Sequence, residues 1–344
     1  MRNIKVIIFL GLSLFLVGCQ DQATENHLVE GDFVPNETPI SEESESAVIS
    51  VDNLSPVVVN ESPVTEEDSE IDSNAVEGDL NYADFASIEE IVWNEINSYG
   101  YDSDYLSISF YDFKTGEEFH LNEDIPSHGA STNKVGTAVL YANLISQGYL
   151  TWDSHLPFTQ AWYEEGGGEI TNGDFQDSYA IYDLVYQSLF YSDNTAWNTL
   201  INNYYCMYGD FQADLIALSE LSFDNGEIYN LNYATSRMLN EILIRVATHP
   251  EYQPIVDIML EAQSGIYLKM YVDEGMAAKY GQYEDGNHDT GIYYENGEPA
   301  YTIAVMSRHL GYIDYFLGDL NLHVKEFRDY QALTKKKKKR PLPW

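Results

Sequence analysis

The chain has 344 residues and a formal net charge of −39 at pH 7, from 56 acidic and 17 basic residues. This balance excludes nucleic-acid binding, because contacts to phosphates need clustered Lys and Arg side chains. Two of the basic residues lie within the first five positions and six at 335–340, which leaves nine for the rest of the chain. The hydrophobic content of 44% can fill the core of one large domain, which we expect to be a monomer.

The amino terminus has the pattern of a secretory signal peptide. Arg2 and Lys5 precede an apolar run over residues 6–15, which is too short to span a membrane. The small residue before Cys19 resembles the lipobox of bacterial lipoproteins, which implies cleavage there and a lipid on the Cys19 thiol. We therefore expect a leader over residues 1–19 and an extracytoplasmic protein of the cell envelope, anchored to the bacterial membrane through Cys19.

Composition divides the rest of the chain into three parts. Residues 20–84 contain no Lys or Arg and are rich in Asp, Glu, Ser and Asn, which predicts a disordered acidic linker that acts as a spacer. Residues 85–332 carry the periodic apolar patterns of a folded domain. Residues 333–344 form a basic tail, to which we assign no function.

The first elements of the domain are predicted from periodicity. Apolar residues at helical spacing indicate a helix over 88–96, and alternation indicates a hairpin of strands 106–110 and 118–121. Residues 135–145 are apolar nearly all round, which predicts a buried central helix with Ser131 at its first turn.

Helices and then strands follow towards the carboxyl end. The predicted ranges are two helices within 177–204, helices over 214–221, 234–247 and 254–261, strands over 278–283, 289–294 and 301–306, and a closing helix over 312–330. The sum is an α+β fold (α/β in the broad sense): a five-stranded antiparallel sheet drawn from both ends of the domain, flanked by helices, with an all-helical lobe between.

Three short motifs stand in order along the domain: Ser131-Thr132-Asn133-Lys134, Ser192-Asp193-Asn194 and Lys279-Tyr280-Gly281. A serine hydroxyl needs a nearby base to become a nucleophile, and Lys134 lies on the same helix face, within reach of the Ser131 oxygen. A lysine acts as a base only when its pKa is lowered, and Lys279 can be the second cation that helps to lower it. Each motif alone has a plainer interpretation, as a helix cap, a capping turn or a charge at a strand edge.

Together the motifs resemble those of the class A β-lactamase and penicillin-binding serine hydrolase superfamily, over about residues 85–330. The surrounding stretches that also match are residues 191–198, residues 278–281, residues 288–292 and residues 304–307, with Gly166, Gly167 and Gly168 similar to the loop at the rim of the substrate site. The resemblance implies a β-lactamase/transpeptidase-like fold and an acyl-enzyme on Ser131. It calls for no cofactor, and the eight scattered His residues indicate no metal site.

The resemblance also assigns roles to individual residues. Ser192 would relay a proton to the leaving nitrogen, and Asn194 would hold Lys134 and the substrate amide. Lys279, Tyr280 and Gly281 would line the substrate site, with Lys279 binding a substrate carboxylate. The backbone N–H groups of Ser131 and Gln282 would form the oxyanion hole.

Two departures from the family pattern bear on substrate and turnover. Tyr280 replaces the usual Thr, which narrows the site or changes its ligand. The family's Glu-x-x-Leu-Asn loop, whose Glu activates the water for deacylation, is abbreviated here: Glu227 and Asn232 are one residue too far apart. We expect Glu227 to be a surface residue rather than the deacylation base.

Three interpretations of function remain open. The first is a β-lactamase-like serine hydrolase that opens β-lactams, slowly. The second is a penicillin-binding-like peptidase that acts on D-Ala-D-Ala ends of peptidoglycan peptides. The third is a catalytically weak module that binds wall fragments at the cell surface.

Overall fold

The structure, a computed structural model, describes residues 80–338. The leader, the lipidation of Cys19, residues 20–79 of the expected linker and residues 339–344 of the basic tail lie outside the described residues. Within residues 80–338, no helix is both long enough and apolar enough to cross a bilayer.

The strands make one large sheet and two small ladders. In chain order they are β1 Leu106–Asp112, β2 Glu118–Leu121, β3 Ser127–His128, β4 His155–Pro157, β5 Ser178–Ala180, β6 Tyr233–Ala234, β7 Met276–Tyr283, β8 Gly286–Glu295 and β9 Glu298–Ser307. The large sheet has the order β2-β1-β9-β8-β7, with every neighbouring pair antiparallel. The predicted five-stranded antiparallel sheet from both ends of the domain is confirmed. The ladders β3–β6 and β4–β5 were not predicted.

The hairpin between β8 and β9 shows why the strand prediction succeeded here. Its two turn residues, Asn296 and Gly297, have φ values of 55° and 82°. Two consecutive positive φ values are the signature of a type I′ turn, which Asn-Gly favours and which matches the twist of the paired strands.

The helices cover both faces of the sheet. In chain order they are α1 Ile88–Ser98, α2 Asn133–Ser146, α3 Glu169–Asn172, α4 Ile181–Phe190, α5 Asn194–Met207, α6 Phe211–Ala217, α7 Ser236–Thr248, α8 Gln253–Glu261 and α9 Asp314–Lys338. One core lies between the sheet and the helices α1 and α9. A second core joins the opposite face to the helical lobe, in which α2 is buried. Adjacent residues of β9 point to different cores, Ile303 to the first and Ala304 to the second, as expected of a strand.

Most predicted boundaries lie within a few residues of the observed ones, and three differences affect a cap, the linker and the tail. The helix predicted over 214–221 is α6 at Phe211–Ala217, because the Asp210 carboxylate caps it by accepting from Ala213 N. Residues 82–84, assigned to the linker, form a 3-10 turn, and the Tyr82 hydroxyl donates to Glu326 at 2.5 Å. Helix α9 runs on to Lys338, so the first part of the expected tail is helical.

Candidate active site

Ser131 lies in a 3-10 turn, Ala130–Thr132, that leads directly into α2. Thr132 fixes this turn, because its backbone N–H and its hydroxyl both donate to the carbonyl oxygen of Gly129, at 3.1 and 2.5 Å. Ala130 has a φ of 48°, in the left-handed region that residues other than glycine rarely adopt. The turn therefore holds Ser131 at the amino end of a buried helix, where the helix dipole favours negative charge.

A chain of hydrogen bonds connects the three sequence motifs at Ser192. The Ser192 hydroxyl donates to Ser131 Oγ at 2.8 Å. Lys134 Nζ and Lys279 Nζ each donate to Ser192 Oγ at 3.2 Å. Ser192 lies at the junction between α4 and α5, where its φ of 58° is in the left-handed region. The predicted convergence of the three motifs is thus present in the structure.

The connection between Lys134 and Ser131 differs from the one predicted. Spacing along the helix predicted that Lys134 reaches Ser131 Oγ directly. Among the hydrogen bonds of residues 80–338, Lys134 Nζ instead donates to the backbone oxygen of Ser192 at 2.7 Å and to Asn194 Oδ1 at 2.8 Å, as well as to Ser192 Oγ. These acceptors draw Lys134 Nζ towards α5, so the hydrogen-bonded connection from Lys134 to Ser131 runs through Ser192.

The environment of Lys134 favours its neutral form. The side chain is fully buried, and this burial, together with the charge of Lys279, holds the pKa of Lys134 well below its usual range. The charges of Glu164 and Asp193 oppose the shift. The prediction that Lys279 acts as a second cation is consistent with this. A neutral Lys134 amine can accept the proton that Ser131 must lose.

Lys279 is buried as well, but it has a compensating carboxylate. Burial lowers the pKa of Lys279 to about 7, and the charge of Asp289 on the neighbouring strand opposes that shift. The Asp289 carboxylate accepts hydrogen bonds from Gln263 Nε2 at 2.8 Å, Leu268 N at 3.0 Å and Thr290 N at 2.8 Å. Burial also raises the pKa of Asp289 to about 7, against the effect of these hydrogen bonds and of Lys279. In its ionised form Asp289 stabilises a positive charge on Lys279.

Strand β7 passes very close to the nucleophile at Gly281. A Cβ atom on Gly281 would lie 2.8 Å from Ser131 N and 3.0 Å from Thr132 N. Only glycine allows this approach. The backbone N–H of Tyr280 points out of the sheet edge, where it donates to Gln263 Oε1 at 2.8 Å. The N–H of Gln282, two residues on, points out of the same edge, as an oxyanion-hole donor must.

Tyr280 lies beside Lys279 at the open edge of the sheet. The Lys279 ammonium is 4.2 Å from the centre of the Tyr280 ring, and that ring stacks on Tyr267 at 5.2 Å. A cation over an aromatic face is stabilised by about 0.5–2 kcal/mol. The phenol therefore covers one face of the Lys279 ammonium; whether it narrows the site or changes its ligand stays a prediction.

The loop formed by residues 163–168, here called the rim loop, is held to the site by Asn194, and Asp193 fixes the residues that follow the loop. The Asp193 carboxylate accepts from Ile170 N and Thr171 N at 3.0 Å each, from Thr171 Oγ1 at 2.7 Å and from Ala196 N at 2.8 Å. Gly168 has a φ of 89°, and a Cβ there would collide with the Asp193 side chain. Asn194 Nδ2 in turn donates to the backbone oxygen of Glu165 at 2.9 Å.

Glu227 lies apart from this cluster. It is exposed to solvent in a 3-10 turn, Gly226–Tyr229, where its backbone N–H donates to Asn225 Oδ1. Among the described residues, the carboxylates whose charges act on Lys134 belong to Glu164 and Asp193. The structure therefore brings the other predicted site residues together and leaves Glu227 on the surface of the loop before β6.

A buried polar network behind the nucleophile was not predicted. His288 Nε2 donates to the backbone oxygen of His128 at 2.9 Å, and Ala130 N donates to His128 Nδ1 at 3.2 Å. Asn133 Nδ2 donates to Asn232 Oδ1 at 2.8 Å, and Gly129 N donates to the Asn232 backbone oxygen at 2.6 Å. This network positions the turn that carries Ser131. The stretch at residues 288–292, which matched the family, was the signal that could have drawn attention to His288.

A second contact that was not predicted lies on α5, one turn after Asn194. Asn198 Nδ2 donates to Glu164 Oε2 at 2.8 Å and to the backbone oxygen of Trp162 at 3.2 Å. The Asn198 position was within the matching stretch 191–198, but its partner in the rim loop could not be identified from spacing. Within residues 80–338, no group of three or more His, Cys, Asp or Glu side chains is arranged to hold a metal ion.

Comparisons with solved structures show proteins of similar fold. PBP-A has a TM-score of 0.57 and 20% identity, with 72% of this chain and 96% of that chain covered. A mutant of PBP-A, solved as an acyl-enzyme complex with penicillin G, has a TM-score of 0.58 and 18% identity over 72% and 97% of the two chains. A beta-lactamase from Sphaerobacter thermophilus has a TM-score of 0.57 and 18% identity over 71% and 96%. These likenesses show the shared fold.

A search of curated proteins gave no match. A sequence profile described as the beta-lactamase enzyme family matches residues 87–315, which is most of the described domain. The fold and this match together identify a serine hydrolase of the β-lactamase and penicillin-binding kind: the chain belongs to the beta-lactamase enzyme family.

Proposed function

We propose that this protein forms an acyl-enzyme on Ser131 with β-lactams and then hydrolyses it slowly. The observation that carries the proposal is the position of Ser192, whose hydroxyl is hydrogen bonded to Ser131 Oγ, Lys134 Nζ and Lys279 Nζ together. That arrangement supplies a nucleophile, a proton relay and a buried base in one contact.

Acylation follows from these contacts. Hydroxyl protons rotate freely, so Ser131 passes its proton to Ser192 as Ser192 passes its own to the neutral Lys134 amine. Ser131 Oγ attacks the lactam carbonyl, and the N–H groups of Ser131 and Gln282 stabilise the oxyanion, at about 3 kcal/mol per donor. When the carbon–nitrogen bond breaks, the proton returns from Lys134 through Ser192 to the leaving nitrogen.

Slow release is proposed because of the loop before β6. In the resembling class A enzymes this loop supplies the Glu that activates water. Here its candidate, Glu227, is exposed and away from Lys134, so the loop does not present a base to the acyl-enzyme.

The exposed position of Glu227 also favours a second candidate, a D-Ala-D-Ala peptidase acting on peptidoglycan peptides. A peptidase uses the same acylation machinery but expels an amine, and it has no need of fast β-lactam hydrolysis. The third interpretation, a weak binding module, is disfavoured because a preserved buried base and relay serve no purpose in binding alone.

Two substrates separate these activities. Purified protein is mixed with a chromogenic cephalosporin, and the colour is followed with the intact mass of the protein. A burst followed by slow turnover supports the first candidate, whereas a stoichiometric adduct, with D-Ala release from a D-Ala-D-Ala peptide, supports the second. Identical behaviour of the parent and Ser131→Ala in both assays would refute both.

We also propose that the protein is lipid-anchored outside the cytoplasm. The support is the sequence pattern that ends at Cys19, together with an acidic segment long enough to separate an anchor from the domain. Labelling with a palmitate analogue in a bacterial host tests the anchor. A label that survives Cys19→Ala would contradict it.

A further inference from the structure

Glu164, in the rim loop, is held rigidly by α5. The Thr195 hydroxyl both accepts from Glu164 N and donates to its backbone oxygen, each at 3.1 Å. Asn198 Nδ2 donates to Glu164 Oε2 at 2.8 Å. Backbone and carboxylate are therefore fixed by two side chains that lie about one helical turn apart.

The same helix also holds the catalytic lysine. Asn194, one turn before Asn198, accepts from Lys134 Nζ at 2.8 Å and donates to the backbone of the rim loop. Residues four apart lie on one face of a helix, with Cβ atoms about 5–6 Å apart, so the Glu164 carboxylate lies next to the amide that binds Lys134.

The charge of Glu164 reaches both flanks of the nucleophile. Lys134 lies three residues after Ser131, and His128 lies three residues before it. Burial lowers the pKa of Lys134, and the charge of Glu164 opposes that shift. Burial also lowers the pKa of His128, and the charges of Glu284 and Glu164 oppose it. Both effects agree with the contacts through Asn198 and Asn194, which place the Glu164 carboxylate beside the amide that binds Lys134.

The two buried carboxylates near the site, Asp193 and Asp289, are unsuitable as a base. Asp193 is fully buried, and four donors occupy its two oxygens. Asp289 is also fully buried, and three donors occupy it. Glu164 is exposed to solvent and accepts from Asn198 through one oxygen, so its carboxylate is accessible to water.

We propose that Glu164 is the base that takes the proton of the hydrolytic water when the acyl group leaves Ser131. The proposal rests on the acyl-enzyme function proposed above. It assigns to the rim loop the role that the loop before β6, with Glu227, does not perform in this chain.

The step balances as an ester hydrolysis. Glu164 takes one proton from water, and the water oxygen attacks the acyl carbon to give a tetrahedral oxyanion. That oxyanion collapses with cleavage of the bond between the acyl carbon and Ser131 Oγ, and the second proton of the water, carried on the released carboxylic acid, passes through Ser192 to Ser131 Oγ. The products are free Ser131 and a carboxylate, and Glu164 releases its proton to solvent.

The test separates acylation from deacylation. The full protein is acylated with penicillin G, excess drug is removed, and the return of the unmodified mass is followed over time. Glu164→Gln keeps the size of the side chain and an oxygen for Asn198, but it cannot accept the proton. We expect acylation to stay within the range of the parent, while deacylation slows by about 10²-fold or more.

Glu227→Gln is the matched control, because it removes the same charge from the loop before β6. We expect its deacylation rate to equal that of the parent. A structural role of Glu164 would lower thermal stability without a selective loss of deacylation.

Two results would overturn the proposal and are distinct from each other. Equal deacylation in the parent and Glu164→Gln would reject Glu164 while leaving the acyl-enzyme function intact. Slower acylation with unchanged deacylation would show that Glu164 acts on substrate binding or on Lys134 and not on water. Absence of an adduct in the parent would instead contradict the proposed function itself.

Discussion

Gly281→Ala tests the placement of β7 against the nucleophile. The added Cβ would lie 2.8 Å from Ser131 N, 3.0 Å from Thr132 N and 3.1 Å from Ala130 Cβ. All three neighbours belong to the turn that carries Ser131, so no flexible side chain can move aside to make room.

The magnitude follows from the distances. Carbon and nitrogen atoms in contact are separated by about 3.5 Å, so β7 must withdraw from the turn by about 0.7 Å. A hydrogen bond of about 2.9 Å from Gln282 N to an oxyanion would lengthen to about 3.6 Å, which no longer counts as one. Loss of one such donor slows acylation by about 10²–10³-fold, and the overpacking costs about 1–3 kcal/mol of stability.

The assay is the rate at which penicillin G adds to the protein, followed by intact mass, with the unfolding free energy measured in urea. Gly226→Ala is the control, because a Cβ there meets no atom within 4 Å, and we expect it to acylate at the rate of the parent. An unchanged acylation rate in Gly281→Ala would refute the assignment of β7 as the second wall of the oxyanion hole.

Three further predictions concern the proton relay and two buried ion pairs. Ser192→Ala should slow acylation by about 10²-fold, since Lys134 then loses its hydrogen-bonded path to Ser131. Arg328→Met should cost about 3 kcal/mol in urea unfolding, because it leaves the buried Asp112 carboxylate without its charge partner. Burial opposes charging of His323, but the hydrogen bond and charge of Glu95 raise its pKa. Its contribution to stability is therefore complete below the ordinary histidine pKa of about 6.5 and is lost as the pH rises through the folded value.

Each of these predictions has a result that contradicts it. Full acylation of Ser192→Ala would mean that Lys134 reaches Ser131 by another path. An Arg328→Met protein as stable as the parent would show that the hydrogen bonds from the turn after Asp112 are enough to stabilise its carboxylate. If His323→Gln and the parent lose the same stability between about pH 6 and about pH 9, the His323 contribution is refuted.

The elements with strong periodicity were predictable from the sequence. The β8–β9 hairpin follows from Asn296-Gly297 between alternating strands, and α2 follows from a segment that is apolar nearly all round. The short ladder between β3 and β6 was not, because two residues have no periodicity and their pairing depends on contacts such as Gly129 N to the Asn232 oxygen. The start of α6 was misplaced because the cap at Asp210 outweighed the apolar pattern that follows.

The residues of the candidate site likewise differ in whether the sequence could predict them. Ser131, Ser192 and Lys279 were identified because each lies in a local motif on a definite element. The route from Lys134 through Ser192 could not be predicted, because it depends on where Asn194 draws the ammonium. The contact between Glu164 and Asn198 joins residues 34 positions apart, and no local pattern marks it.

The central claim is that Ser131 is the nucleophile of an acyl-enzyme, activated through Ser192 by Lys134. The most direct test treats the protein with penicillin G, digests it, and locates the added mass by peptide sequencing in the mass spectrometer. The account predicts one adduct, of the full mass of the drug, on Ser131, and no adduct in Ser131→Ala. An adduct on another residue, or none on the parent protein at saturating drug, would contradict it.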